Sequence, residues 1–166
     1  MGDVEQAGTS QYISFHVAGG EYAVSILGAR EIIEYTDITR VPMMPPAILG
    51  VLNLRGHVVP VVDLAERFGM PASTITRRTC ILVVETHIDG ALTRVGILID
   101  AVGDVLELHA SAIEKAPPFG TKMSLDHLLG LGKVDGKLVL LLDIDHVLSP
   151  DELLAARSLE PAAAST

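Results

Sequence analysis

Six histidines (His16, His57, His87, His109, His127, His146) and a single cysteine, Cys80, are the side chains of this 166-residue chain that could bind a transition metal or serve as base or nucleophile. Their spacing supports neither role. The histidines are scattered at wide intervals, none stands beside Cys80, and none falls in a zinc-ligand spacing, so they read as loop or strand-edge residues. Cys80 has no partner for an intramolecular disulfide and opens the apolar run Cys80-Ile81-Leu82-Val83-Val84, which predicts a buried, inert thiol. The carboxylates Asp63, Asp143 and Asp145 could form an acid-base pair. Asp63 and Asp143, however, follow strand-like runs at matching positions, where capping the next turn is the simpler role. No serine sits in a G-x-S-x-G elbow, and no glycine pattern leads into a phosphate-binding Lys-Ser or Lys-Thr. The expectation is a protein that is not an enzyme, with no catalytic residue, metal or cofactor.

The composition narrows the partners. A net charge of -9 disfavours nucleic acid, because neutralising phosphates needs clustered Lys and Arg. The first residues lack the basic start and apolar stretch of an export signal. Apolar runs such as Leu138 to Leu142 fall far short of the roughly 20 residues that span a bilayer. A cytoplasmic location without direct membrane insertion is expected.

With 49% hydrophobic but only 4% aromatic residues, any core must be aliphatic, which suits β packing. Strand-like runs recur at Tyr12 to Val17, Glu21 to Ile26, Ile48 to Leu54, Val58 to Asp63, Arg78 to Glu85, Thr93 to Ile99, Asp104 to His109 and Lys137 to Asp143. Ala18-Gly19-Gly20, Arg55-Gly56, Asp89-Gly90 and Asp135-Gly136 are hairpin signals. Short helices are expected at Leu64 to Phe68, at Leu125 to Leu129 and in the tail, where Ser149-Pro150 offers a helix start. Residues 1–10 are expected to be disordered, and residues 152–166 to form a terminal helix or a disordered tail.

The chain also repeats itself. Gly50, Gly56 and Asp63 recur in the same spacing as Gly130, Gly136 and Asp143, and Glu31-Ile32-Ile33-Glu34-Tyr35 is echoed by Asp104-Val105-Leu106-Glu107-Leu108. The expected fold is mainly β: two small five-stranded SH3-like or OB-like barrels packed on a shared hydrophobic interface, with short helices. The barrels would span about residues 12–70 and 78–148 within a domain of residues 11–151, and could exchange terminal strands.

The segment Asn53-Leu54-Arg55-Gly56-His57-Val58-Val59-Pro60-Val61-Val62-Asp63-Leu64 stands out. Arg55-Gly56 would form a hairpin tip with Arg55 in solvent, and Pro60 would mark an edge strand or a bulge. Taken alone, Arg55 could equally be an ordinary turn cation. The segment resembles the N-L-R-G-x-x-x-P-[aliphatic]-x-D-L run of the CheW family of chemotaxis coupling proteins, without departure. The likeness continues in Glu21-Tyr22, Arg30-Glu31-Ile32, Pro46-Ala47-Ile48-Leu49-Gly50-Val51, Asp100-Ala101-Val102-Gly103-Asp104-Val105-Leu106 and Leu129-Gly130-Leu131-Gly132.

That resemblance implies two five-stranded barrels and a non-catalytic adaptor. Its partners would be the cytoplasmic tip of methyl-accepting chemoreceptors and the CheW-like regulatory domain of the histidine kinase CheA. By matching position it implies Ala29, Glu31, Gly50, Arg55 and Val105 as receptor- or kinase-binding residues, with Arg55 and Glu31 foremost. Gly50 would admit a receptor helix and Val105 would offer an apolar contact; for each, a role in the fold is the plain alternative. Pro42-Met43-Met44-Pro45-Pro46 is a further candidate surface or a stiff connection. The alternative function is a scaffold of the same fold in another chemosensory pathway, such as pilus motility or a second-messenger output.

Overall fold

Alternation of apolar side chains every second residue commits a strand to presenting two faces, and in this chain both faces of several strands are apolar. In the computed structural model, which describes residues 9–88, 90–115 and 128–146, the result is eleven strands among the described residues. They are β1 (Thr9–Val17), β2 (Gly20–Ser25), β3 (Ala29–Glu34), β4 (Ile48–Leu54), β5 (His57–Asp63), β6 (Cys80–Ile88), β7 (Ala91–Ile99), β8 (Ala101–His109), β9 (Ile113–Glu114), β10 (Leu128–Val134) and β11 (Lys137–Leu142). One helical turn, α1 (Leu64–Arg67), follows β5, and a 3-10 turn at Ala110–Ala112 joins β8 to β9. The expected tail helix and residues 152–166 lie outside the described residues, as do residues 1–8 and 125–127. Of the helix expected at Leu125 to Leu129, the described part is strand β10.

Two sheets form, ordered β8-β1-β2-β11-β10-β9 and β3-β6-β7-β5-β4. They share one plan. Each contains a bulged glycine hairpin, β4-β5 or β10-β11, with register shifts at Ile48/Gly50 and Leu128/Gly130. Each joins that hairpin to a second one through a parallel pair, β5 with β7 and β11 with β2. In each, the chain leaving the edge strand β3 or β8 returns to the outer side of the glycine hairpin, as the Thr39–Val51 bridge or as β9 against β10. The internal repeat is therefore a repeat of topology as well as of spacing.

The sheets do not follow a sequential division into 12–70 and 78–148. The five-stranded sheet uses one continuous stretch, Ala29 to Ile99, while β1 and β2 join β8 to β11 from the other end of the chain. The terminal strands are exchanged because a barrel needs a hairpin on the parallel side of its glycine hairpin. For the second unit, the N-terminus supplies it.

Three apolar clusters follow from these faces. Leu52, Leu54, Val59, Val61, Ile81, Val83 and Leu98 fill the five-stranded unit, and Tyr12, Ala23, Leu108, Val139 and Leu141 fill the six-stranded one. Between the sheets lies the largest, where Phe15, Val17, Tyr22 and Val24 meet Val62, Leu82, Val84, Val95, Ile97 and Ile99. Along β6, Ile81 and Val83 point into the barrel while Leu82 and Val84 point into the shared interface, which explains its unbroken apolar run. Phe15 stacks on Tyr22 and Tyr22 on Phe68, with ring centroids 6.1 and 5.6 Å apart.

Candidate functional site

Asn53-Leu54-Arg55-Gly56 builds a two-residue turn in which Arg55 and Gly56 both have positive φ, 51° and 87°. Holding a non-glycine residue there costs about 1 kcal/mol or more. The Asn53 side chain offsets part of this by accepting the Gly56 N–H at 2.8 Å. The turn leaves Arg55 largely in solvent, as expected, while aiming its guanidinium back across the sheet. Its Nη1 donates to Glu31 Oε2 at 3.2 Å and its Nη2 to Oε1, a two-pronged ion pair between residues 24 apart in the chain. The pair is exposed, with 65% of the Arg55 and 31% of the Glu31 side chain accessible.

Glu31 stands opposite Val83, and Ile33 opposite Ile81, so Glu31 shares the face that lines the five-stranded barrel and sits toward its mouth. A bulge between Ala29 and Glu31 inserts Arg30 as an extra residue. Arg30 thereby turns to the same side as Glu31 and meets Glu85 of β6 through Nε at 3.3 Å. Arg94, the cross-strand partner of Glu85, meets the same carboxylate through Nε at 3.7 Å. The hydrogen bond from Arg55 holds the Glu31 carboxyl below its ordinary value, against an opposing loss of solvation; the charges of Arg55, Arg94 and Arg30 add to the lowering. The same bond, with the Glu31 charge, raises Arg55.

Of the five residues expected to bind a partner, Glu31 and Arg55 are brought together, and Ala29 lies two positions along β3, half-buried against the shared core. Val105 belongs to the other sheet, on β8 opposite Ile13, with 52% of its surface exposed. Gly50 is buried. A Cβ there would lie 2.1 Å from the Thr39 carbonyl oxygen, so a close approach within this chain's own backbone already requires glycine. Gly130 repeats this: a Cβ would lie 2.7 Å from the Glu114 carbonyl oxygen.

The remaining candidates settle into the fold. Asp63 caps α1, accepting the Ala65 N–H at 3.1 Å, and its other oxygen accepts the Ser73 N–H at 2.9 Å. Asp143 accepts the Asp145 N–H at 3.1 Å in the equivalent turn. Cys80 is only half-buried, at the edge of the shared core, with its thiol donating to the Arg78 carbonyl. Pro60 is internal to the sheet, yet it lies one residue before the β5–β7 ladder begins, so its missing N–H costs no pairing there. In the Pro-Met-Met-Pro loop Met43 is fully exposed and Met44 packs on the shared core. His109 Nδ1 accepts the Ser111 N–H at 3.1 Å, capping the 3-10 turn. No helix of the described residues is long and apolar enough to cross a membrane.

Residue-by-residue reading missed Arg30, Glu85 and Arg94. The signal for two of them was present: Glu85 and Arg94 are equidistant from the Asp89-Gly90 turn, which makes them an opposite-charge cross-strand pair. Arg30 gave none, because strict alternation points it away from Glu31.

Comparison with known proteins agrees with this arrangement. Residues 11–152 match the model of the CheW-like domain. The chain is 34% identical over 143 residues to the chemotaxis protein CheW of Klebsiella aerogenes, covering 86% of this chain and 84% of that one. It is 35% identical over 147 residues to the chemotaxis protein CheW of Bacillus subtilis, covering 87% and 90%. The crystal structure of the scaffolding protein TtCheW from Thermoanaerobacter tengcongensis superposes with a TM-score of 0.76 at 28% identity, over 86% of this chain and 90% of that one. Two exchanged β units, the Asn53 to Leu64 segment and relatives matched over most of their length converge: the chain belongs to the CheW family of chemotaxis coupling proteins.

Proposed function

We propose that this protein is a non-catalytic adaptor that joins the cytoplasmic tip of methyl-accepting chemoreceptors to the regulatory domain of the histidine kinase CheA. On this reading it resides in the cytoplasm at membrane-associated receptor arrays, held there by its partners. The observation that carries it is the meeting of Arg55 and Glu31, two residues from separate parts of the family pattern, in one exposed bidentate pair. An exposed pair of this kind adds little to folding but can orient a docking helix. Val105 on β8 supplies apolar contact, Ala29 acts through the packing of β3 on the shared core, and Gly50 acts indirectly by letting β4 pass close to Thr39. A scaffold serving another chemosensory output has no observation in its favour.

Contacts of this surface can change kinase activity only in so far as they differ between receptor states. Co-sedimentation with a purified receptor signalling fragment and CheA, scoring complex formation and kinase activity together, tests the reading. Receptor-dependent kinase stimulation is expected, and Arg55→Ala should weaken the complex about tenfold with an unchanged unfolding midpoint. Absence of binding to either partner by the wild-type protein would refute it.

A further inference from the structure

The Arg55–Glu31 pair is half of a larger charge cluster. Glu85, only 17% exposed, is met by Arg30 and Arg94, whose side chains are 51% and 39% exposed. Three guanidinium groups thus face two carboxylates, a local excess of cations on a chain whose net charge is -9. Arg30 and Arg94 both reach Glu85 through Nε, the inner nitrogen of the guanidinium. A guanidinium engaged through Nε can still offer its Nη edge to a second carboxylate, and the exposure of both side chains leaves them accessible to one. The bulge at Arg30 exists at the cost of a ladder bond, and what it accomplishes is to set Arg30 beside Glu31 on one side of β3.

We propose that Arg30 and Arg94, seated on Glu85, form a second carboxylate clamp beside Arg55, and that this local cationic patch selects an acidic helical segment of the chemoreceptor tip. The proposal rests on the coupling reading above and assigns the chemistry of its partner. The excess of cations over carboxylates in the cluster argues for an acidic partner, and continuity with the Arg55–Glu31 pair, which the coupling reading sets against a docking helix, argues for the receptor. Glu85 has two roles in it: it holds both guanidinium groups in place, and it competes with the incoming carboxylates.

The test uses the full chain and a purified receptor signalling fragment, with the dissociation constant followed across salt concentration. Arg30→Gln with Arg94→Gln should weaken receptor binding about tenfold at low salt and flatten its salt dependence, while binding to the CheA regulatory domain stays unchanged. Glu85→Gln keeps both cations and removes the competitor, so it should preserve or tighten receptor binding and steepen the salt dependence. A cluster that matters only for local folding would give the opposite, with Glu85→Gln weakening binding as much as the double variant does. That result overturns the proposal, as does a double variant that binds the receptor fragment like the wild type. Loss of kinase binding with receptor binding intact overturns the assignment to the receptor. Failure of the wild-type protein to bind the fragment at all would instead refute the coupling reading, and the clamp with it.

Discussion

Gly50 and Gly56 are six residues apart in one hairpin, yet they answer different demands. Gly56 has a φ of 87° and nothing within 4 Å of where a Cβ would sit, so only backbone conformation requires glycine. Gly50 has a φ of 154°, and an added Cβ would collide with the Thr39 carbonyl. Gly56→Ala should therefore cost about 1–2 kcal/mol, and Gly50→Ala about 3 kcal/mol or more because the Thr39 strand must move; urea unfolding midpoints separate the two. Asp63 is 1% exposed and its carboxylate accepts from the Ala65 and Ser73 N–H groups and the Ser73 hydroxyl. Asp63→Ala should destabilise by roughly 2–3 kcal/mol, losing a cap and leaving two donors unpaired. The glycine and aspartate spacing was legible in the sequence, and so was the capping role of Asp63. Whether Gly50 faced a partner or this chain was not, since nothing local tells which backbone crosses a strand.

At the level of elements, the clearest new link is between the end of β11 and β6. Asp145 accepts a hydrogen bond from the Thr86 hydroxyl at 2.5 Å and from the His87 N–H at 3.0 Å, tying the segment after the six-stranded sheet to the five-stranded one. Partial burial pushes the Asp145 carboxyl up, but these two bonds and the nearby charges of His87 and His146 outweigh it and leave it lowered. A carboxyl lowered on folding stabilises the protein above its unfolded pKa of about 3.9 and loses that contribution as pH falls through the folded value. Asp145→Asn should then cost at most about 1 kcal/mol at neutral pH, given how exposed the group is. Wild-type and variant midpoints should converge as pH falls through the lowered folded-state value of Asp145. Strands with clean alternation were legible at this scale. β3 was recognised only as a repeat, and β10 was read partly as a helix, because Gly130, Gly132 and Lys133 dilute its apolar signal. Its glycines are there for closeness: a Cβ on Gly132 would lie 2.8 Å from Leu108 Cδ1.

For the whole molecule, the shared core and the exchanged strands make independent folding of the two sheets unfavourable. Ala29 to Ile99 alone would expose Leu82, Val84, Val95, Ile97 and Ile99, each contributing about 1.5–3 kcal/mol when buried. Thermal unfolding should be one transition, with near-UV and far-UV circular dichroism coinciding, since the Phe15–Tyr22–Phe68 stack reports on packing across both sheets. Two separated transitions would contradict the shared core. An isolated 29–99 fragment should bind hydrophobic dye and lack a cooperative transition.

By itself the sequence determined the aliphatic β character, the twofold repeat, the turn chemistry at Arg55-Gly56 and Asp135-Gly136, and the family pattern, because each depends on residues near one another in the chain. Tertiary structure alone decided three things. It set the β1–β2 hairpin between β8 and β11 rather than beside β3, folded Arg55 onto Glu31, and gathered Arg30, Glu85 and Arg94 into one cluster. The physical reason is the same in each case: strand pairing between distant segments, and the bulge that turns a side chain out of strict alternation, depend on which edges find each other in space, and many pairings satisfy the same local pattern.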